Sequence, residues 1–178
     1  FPVYFVMKVS KSPKRVVYWK KQRPMTAEAA WDNTAGTYKF YEKYNREIAG
    51  DDIGVIYNYE TKADERITVK IGISYVSIDN ARKNLETEQP AFELDKTINN
   101  ARTEWESVLS KIKVEGGTDD QKTIFYTALY HLHIHPNILQ DVNGEYPAME
   151  SGKTLRTAGN RYTVFSLWDT YRNVHQLL

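Results

Sequence analysis

The chain of 178 residues contains no cysteine, which excludes a disulfide framework and thiolate chemistry. That absence suits the cytosol, the periplasm or a disulfide-poor secreted protein equally well. No apolar run approaches the roughly 20 residues that a membrane span needs. The apolar Phe1 to Val9 stretch lacks the basic lead and small-residue cleavage site of a signal peptide, so neither anchor nor leader is read here. The sequence also lacks a nucleophilic triad pattern, a phosphate loop and a dinucleotide fingerprint. Net charge is only +1, and 41% of the residues are hydrophobic, enough to fill the core of a globular protein.

That small net charge hides an imbalance, because most of the positive excess lies in the first third. Lys8, Lys11, Lys14, Arg15, Lys20, Lys21 and Arg23 occur with no acid between them, interleaved with Tyr18 and Trp19. A nucleic-acid surface has such a composition. Strands carrying solvated lysines on their outer face have it too, and this reading is favoured, so no nucleic-acid partner is expected.

Five short segments rich in Val, Ile, Tyr and Phe read as antiparallel strands: Val3 to Val9, Arg15 to Trp19, Thr37 to Tyr44, Gly54 to Tyr59 and Ile67 to Tyr75. Turn material separates them at Lys11-Ser-Pro13, Asp32-Asn33, Ala49 to Asp52 and Lys62 to Asp64, with a short helical stretch at Thr26 to Ala30. A β-sandwich, or part of one whose earlier strands precede this sequence, is expected. Near Ser77 the residue period changes from 2 to 3.6. Ile78, Ala81 and Leu85 then share one helical face, with Arg82, Lys83 and Glu86 on the other.

A second helix is expected from Phe92 to Ile112, where Leu94, Ile98, Ala101, Trp105, Val108, Leu109 and Ile112 form a stripe that should pack on its neighbours. Gly116-Gly117 ends it. A third begins at the capping box Thr118-Asp-Asp-Gln121 and would bury Ile124, Phe125, Ala128, Leu129 and Leu132 before Pro136 stops it. Residues Asn137 to Tyr162 read as a long loop. A final helix is expected near Leu167, capped by Ser166 with Asp169, and the chain would stop within it.

That last helix carries the most suggestive chemistry. An indole offers an apolar face to the C–H side of a pyranose, and a carboxylate accepts from two adjacent hydroxyls, so Trp168 with Asp169 suits a monosaccharide. Two readings stay open for each residue. Trp168 is either a sugar platform or core, Asp169 either a ligand or a helix cap, and Arg172 either a support for Asp169 or a simple surface pair. Of His131, His133 and His135 only the first and last share a helical face, and no carboxylate at matching spacing completes a metal set, so all three read as structural or supporting residues. Asp141-Val-Asn-Gly-Glu145 looks like the start of a calcium loop, but its glycine stands fourth rather than sixth, and a tight turn is the preferred reading.

Four ordered blocks add a resemblance: Val69-Lys-Ile-Gly-Ile-Ser-Tyr-Val-Ser-Ile-Asp-Asn-Ala-Arg-Lys-Asn-Leu85, Thr123-Ile-Phe-Tyr-Thr-Ala-Leu-Tyr130, Pro136-Asn-Ile-Leu-Gln-Asp-Val-Asn-Gly144 and Tyr162-Thr-Val-Phe-Ser-Leu-Trp-Asp-Thr-Tyr-Arg172. Together the blocks resemble glycoside hydrolase family 92, a family of calcium-dependent exo-α-mannosidases. The resemblance implies the end of an antiparallel β-supersandwich over residues 1–76, a helical linker over 77–117 and the first helices of an (α/α)6 barrel over 118–178.

The resemblance further implies inverting hydrolysis of terminal α-mannosides of glycans, α-1,2-linked ones first, in a secreted or periplasmic bacterial enzyme. Such enzymes hold an acid and a base about 6.5–9.5 Å apart. By position it places Trp168 and Asp169 on the motif that contacts the terminal mannose, with Arg172 in support. The acid, the base and the Ca2+ ligands would lie beyond this sequence, leaving the segment alone inactive and prone to associate through exposed helix faces or with its missing half. The family's early glycine- and histidine-rich segment is absent, and the end of the third helix is richer in histidine than the family block. A non-catalytic carbohydrate-binding or scaffold module is the alternative.

Overall fold

A computed structural model describes residues 2–22, 36–43, 47–150, 152–164, 166–172 and 174–177. The expected Thr26 to Ala30 helix, the Asp32-Asn33 turn, Arg23 and Tyr44 lie outside these. The chain divides into two compact units, Phe1–Val9 with Thr68–Leu178, and Ser10–Ile67.

The Ser10–Ile67 unit is a three-stranded antiparallel sheet. Strand β2 (Arg15–Gln22) lies between β3 (Thr37–Tyr41) and β4 (Ile53–Asn58). Val17 in the central strand is buried, and the Trp19 ring meets Tyr38 edge-on at 5.3 Å. The basic run is largely neutralised by local acids. Lys14 pairs with Glu60, Arg15 with Glu42, and Lys11 with Glu65 at 2.6 Å. In the other unit Lys8 pairs with Glu86 at 2.7 Å.

In the Phe1–Val9 and Thr68–Leu178 unit, β1 (Tyr4–Val9) and β5 (Val69–Ser74) pair antiparallel, with Phe5 opposite Ile73 and Met7 opposite Ile71. One face of this pair carries helix α1 (Ile78–Glu88). Ser77 caps that helix, its hydroxyl accepting from the Asn80 N–H at 3.1 Å. Gly72 permits the close approach, because a Cβ there would come within 2.3 Å of the Ala81 carbonyl oxygen and 2.6 Å of Leu85 Cβ. Ala81 and Leu85 are consequently almost fully buried. Lys70 closes the far end of α1, donating to the Gln89 and Pro90 carbonyls at 2.6 and 2.9 Å, where the negative end of the helix dipole favours a cation.

Helix α2 (Leu94–Leu109) departs from expectation: none of its residues is buried, and Leu94 and Ile98 stand in solvent. Its C-terminal half finds apolar cover, where the Trp105 ring lies tilted against Tyr130 of α3 (Asp119–Leu132) at 4.5 Å. The α3 capping box forms as expected. The Thr118 hydroxyl accepts from the Gln121 N–H at 3.2 Å, and the Gln121 side chain accepts from the Thr118 N–H at 2.9 Å. Of its expected stripe only Leu129 is buried, while Ile124 is 69% exposed. The structure therefore agrees with the expected order of antiparallel strands followed by helices.

Candidate functional site

The stretch from Asn137 to Thr163 is not an open loop, as its composition suggested, but a folded ribbon. At its tip β6 (Glu145–Pro147) pairs antiparallel with β7 (Thr154–Arg156), and at its base Ile138 bridges Tyr162. Backbone bonds from the Leu139 N–H to the Arg161 carbonyl (2.7 Å) and from the Thr163 N–H to the Asn137 carbonyl (2.8 Å) close that base. These strands are too short to show a two-residue alternation. Between the limbs a cleft of about 700 Å³ is bordered by Ile138, Gln140 and Asn143 on one side, Arg156 and Asn160 on the other, and Glu88 of α1.

Asp141 fastens the ribbon to α1 and β5. Its turn is the tight one expected from Asn143-Gly144: the Gly144 N–H donates to the Asp141 carbonyl at 2.8 Å, and Gly144 has φ +83°, a backbone conformation that favours glycine. The Asp141 carboxylate is not left open to a cation, as a calcium loop would require. It is buried against α1, accepting from the Ser74 hydroxyl (2.7 Å), Asn80 Nδ2 (2.8 Å) and Asn84 Nδ2 (2.7 Å).

The two asparagines are themselves buried and fully used. Asn84 Nδ2 also donates to the Ile73 carbonyl at 2.8 Å, and its Oδ1 accepts from the Val142 N–H at 3.0 Å. Asn80 Nδ2 donates a second bond to Glu145 Oε2 at 2.8 Å, and its Oδ1 accepts from Asn143 Nδ2 at 3.2 Å. Hydrogen bonds from Asn80, and then from Asn143, favour the charged form of Glu145 and hold its pKa below the ordinary glutamate value. Sequence reading missed this cluster. Asn80 and Asn84 stand four apart on α1, which puts them on one face, but nothing local marks that face as buried.

Downstream of the ribbon lies α4 (Leu167–Thr170), a single helical turn followed by α5 (Val174–Leu177). The expected Ser166–Asp169 capping box does not form. Ser166 is the N-cap without a side-chain bond, and its carbonyl instead accepts from the Thr170 hydroxyl at 3.1 Å. Asp169 is therefore not held as a cap and stands exposed.

Trp168 is 89% exposed in this chain. With Leu167 and Tyr171 it borders a shallow hollow of about 290 Å³. Arg172 turns to Tyr171 rather than to Asp169: its Nε donates to the Tyr171 hydroxyl at 3.0 Å, and its guanidinium lies 5.6 Å from that ring centre. Tyr171 is the member of this turn that sequence reading passed over, although its spacing of three from Trp168 puts both rings on one side.

The three histidines do not converge on a common point. His133 Nδ1 lies 2.9 Å from the Leu129 carbonyl, His135 Nε2 lies 3.4 Å from the Val164 carbonyl, and the His131 ring lies against Tyr130. Among the described residues no three His, Asp or Glu side chains are grouped to hold a metal ion. Asp141, the best-placed carboxylate, already spends both oxygens on neutral donors. The described residues thus do not fit a calcium site.

Comparison with known proteins accords with this architecture. Residues 80–178 match the glycosyl hydrolase family 92 catalytic domain. A solved family GH92 α-mannosidase of Bacteroides thetaiotaomicron superposes with a TM-score of 0.76 at 30% identity, over 98% of this chain and 22% of its own. A GH92 inverting mannosidase of the same organism superposes at 0.77 with 24% identity, also over 98% of this chain and 22% of its own, a likeness of fold. A secreted glycosidase of Arthroderma benhamiae, itself uncharacterized, is 31% identical over 113 residues, which are 61% of this chain and 14% of that protein. The chain thus spans about a fifth of the solved structures and less of the curated relative. By the match over more than half of its length, it belongs to glycosyl hydrolase family 92.

Proposed function

We propose that this chain is a segment of an exo-acting, inverting α-mannosidase, and that its Trp168–Asp169 turn contacts the terminal mannose. The observation that carries the reading is the 89% exposure of Trp168 on the same helical turn as an exposed carboxylate. An indole that meets solvent without apolar cover is available to the C–H face of a pyranose, and a carboxylate one residue on can accept from its hydroxyls. Arg172 acts here through Tyr171, steadying the ring beside the indole, rather than as a partner of Asp169.

In this proposal residues 1–76 close a β-supersandwich, 77–117 form a helical linker and 118–178 open an (α/α)6 barrel. The general acid and base, and the ligands of a required Ca2+, come from outside these residues. This segment alone then lacks the carboxylate pair on which inversion depends and is inactive. We place the parent outside the cytoplasm of a bacterium, acting on α-1,2-mannosides of glycans. The exposed Ile98, Ile124 and Leu167 make the isolated segment bind hydrophobic dye and self-associate.

The test is mannose release from an α-1,2-linked mannobiose by the parent protein with and without a calcium chelator, beside residues 1–178. Chelator-sensitive release by the parent and none by the segment is the expected result. No release by the parent at any calcium level would overturn the assignment in favour of a non-catalytic carbohydrate-binding module.

A further inference from the structure

Among the described residues, the hydrogen bonds that tie the 137–163 ribbon to β5 and α1 all pass through residues 141–145. Three donors from two different elements converge on the Asp141 carboxylate, which is 6% exposed. One limb of the ribbon is therefore pinned at Asp141. The other is held to it by the Leu139–Arg161 and Asn137–Thr163 bonds, and an added bond runs from the Asn137 N–H to the Thr163 hydroxyl at 3.0 Å. That second limb leads directly into Ser166 and the Trp168 turn.

Beside the ribbon base, the approach to the turn is met by His135, whose Nε2 lies 3.4 Å from the Val164 carbonyl. Trp168, Leu167 and Tyr171 are all exposed, and Ser166 makes no side-chain cap. A sugar platform must keep its indole at a fixed angle to the neighbouring carboxylate, and the cost of ordering it on binding falls if the chain leading to it is already fixed.

We propose that Asp141 is a positioning residue: its buried carboxylate, clasped by Ser74, Asn80 and Asn84, sets the Trp168–Asp169 turn in place through the base of the ribbon. The inference rests on reading that turn as the mannose contact. A carboxylate is required because every group aimed at it is a donor. An amide of the same shape presents its own N–H to one of them and leaves a buried donor unpartnered.

The test uses the full 178-residue chain, its tryptophans labelled with fluorine and assigned by single Trp→Phe exchange. Amide exchange at Leu139 and Thr163 is compared with that of α3, and methyl α-mannoside is titrated against the Trp168 resonance. Asp141→Asn is expected to speed exchange at Leu139 and Thr163 about tenfold while α3 changes less than about twofold. It also removes the mannoside-induced shift.

Thr163→Val covers the case in which the buried variant fails to fold, because it loosens the ribbon base and leaves the clasp intact. It should weaken the mannoside shift while α3 exchange is unchanged. Wild-type behaviour in Asp141→Asn, equal loosening of α3, or a Thr163→Val protein that titrates like wild type would each overturn the proposal. If the wild-type Trp168 resonance ignores mannoside, the reading of the turn fails, and the exchange rates alone still decide whether Asp141 fixes the ribbon.

Discussion

Helices α1 and α2 both carry apolar residues at steps of three and four, yet α1 buries Ala81 and Leu85 against a strand pair while α2 buries nothing. The difference does not lie in the stripes. It lies in what stands opposite them: Gly72 gives α1 a flat place on β5, whereas the stripe of α2 is half-covered only towards its C-terminal end, where Trp105 reaches Tyr130. Periodicity states which face of a helix is apolar and is silent on whether a surface exists to cover it.

The sharpest way to test that contrast is to cut both stripes. Leu85→Ala leaves a cavity under α1 and should cost about 2–5 kcal/mol in urea unfolding followed by circular dichroism. Ile98→Ser on exposed α2 should stay within about 0.5 kcal/mol. Equal losses would mean that α2 is covered in solution. A smaller effect is expected of Thr118→Ala, which removes one arm of the capping box at the start of α3 and should cost about 1 kcal/mol, with Thr118→Ser retaining most of it.

Legibility follows the range of the interactions. The α3 capping box was readable because both of its bonds connect residues three apart, and so were the five strands, whose alternation is local. Asn80 and Asn84 were not readable as buried. Their partner Asp141 lies 57 to 61 positions away, and an asparagine on a helix normally marks the wet face. The ribbon was hidden because three-residue strands leave no period. At the candidate site, Trp168 and Asp169 could be picked out by residue type, but whether the indole faced core or solvent depended on packing that no local pattern encodes. The same holds for Arg172, whose choice of Tyr171 over Asp169 is a matter of rotamer.

Acid distinguishes the clasp from the surface ion pairs. Glu86, through Lys8, and Glu145, through Asn80 and then Asn143, both have pKa values lowered from the usual 4.5. A lowered native value means that the unfolded chain binds more protons in this range. The stabilisation is therefore complete above about pH 4.5 and is lost as the pH falls through the native pKa below it. Glu86→Gln and Glu145→Gln should each flatten the acid limb of a stability–pH curve. High salt should shrink the Glu86 contribution more, because a charge pair is screened and an amide–carboxylate bond is screened less. Equal salt sensitivity would show that Arg156 and Lys83, rather than the asparagines, hold Glu145.

The smallest expected effect on stability belongs to the residue with the largest expected effect on recognition. Trp168 is 89% exposed, so Trp168→Ala gives up almost no buried surface, and the unfolding free energy should change by no more than about 0.5 kcal/mol. An indole this exposed contributes little to the folding of this chain. On the proposed reading of the turn, the same change in the parent protein should lower kcat/KM for an α-1,2-linked mannobiose by about tenfold or more, the loss of one desolvated aromatic contact, while Trp105→Phe changes it little. If Trp168→Ala instead unfolds the chain, the indole is a packing residue in solution, and the proposed contact with mannose fails.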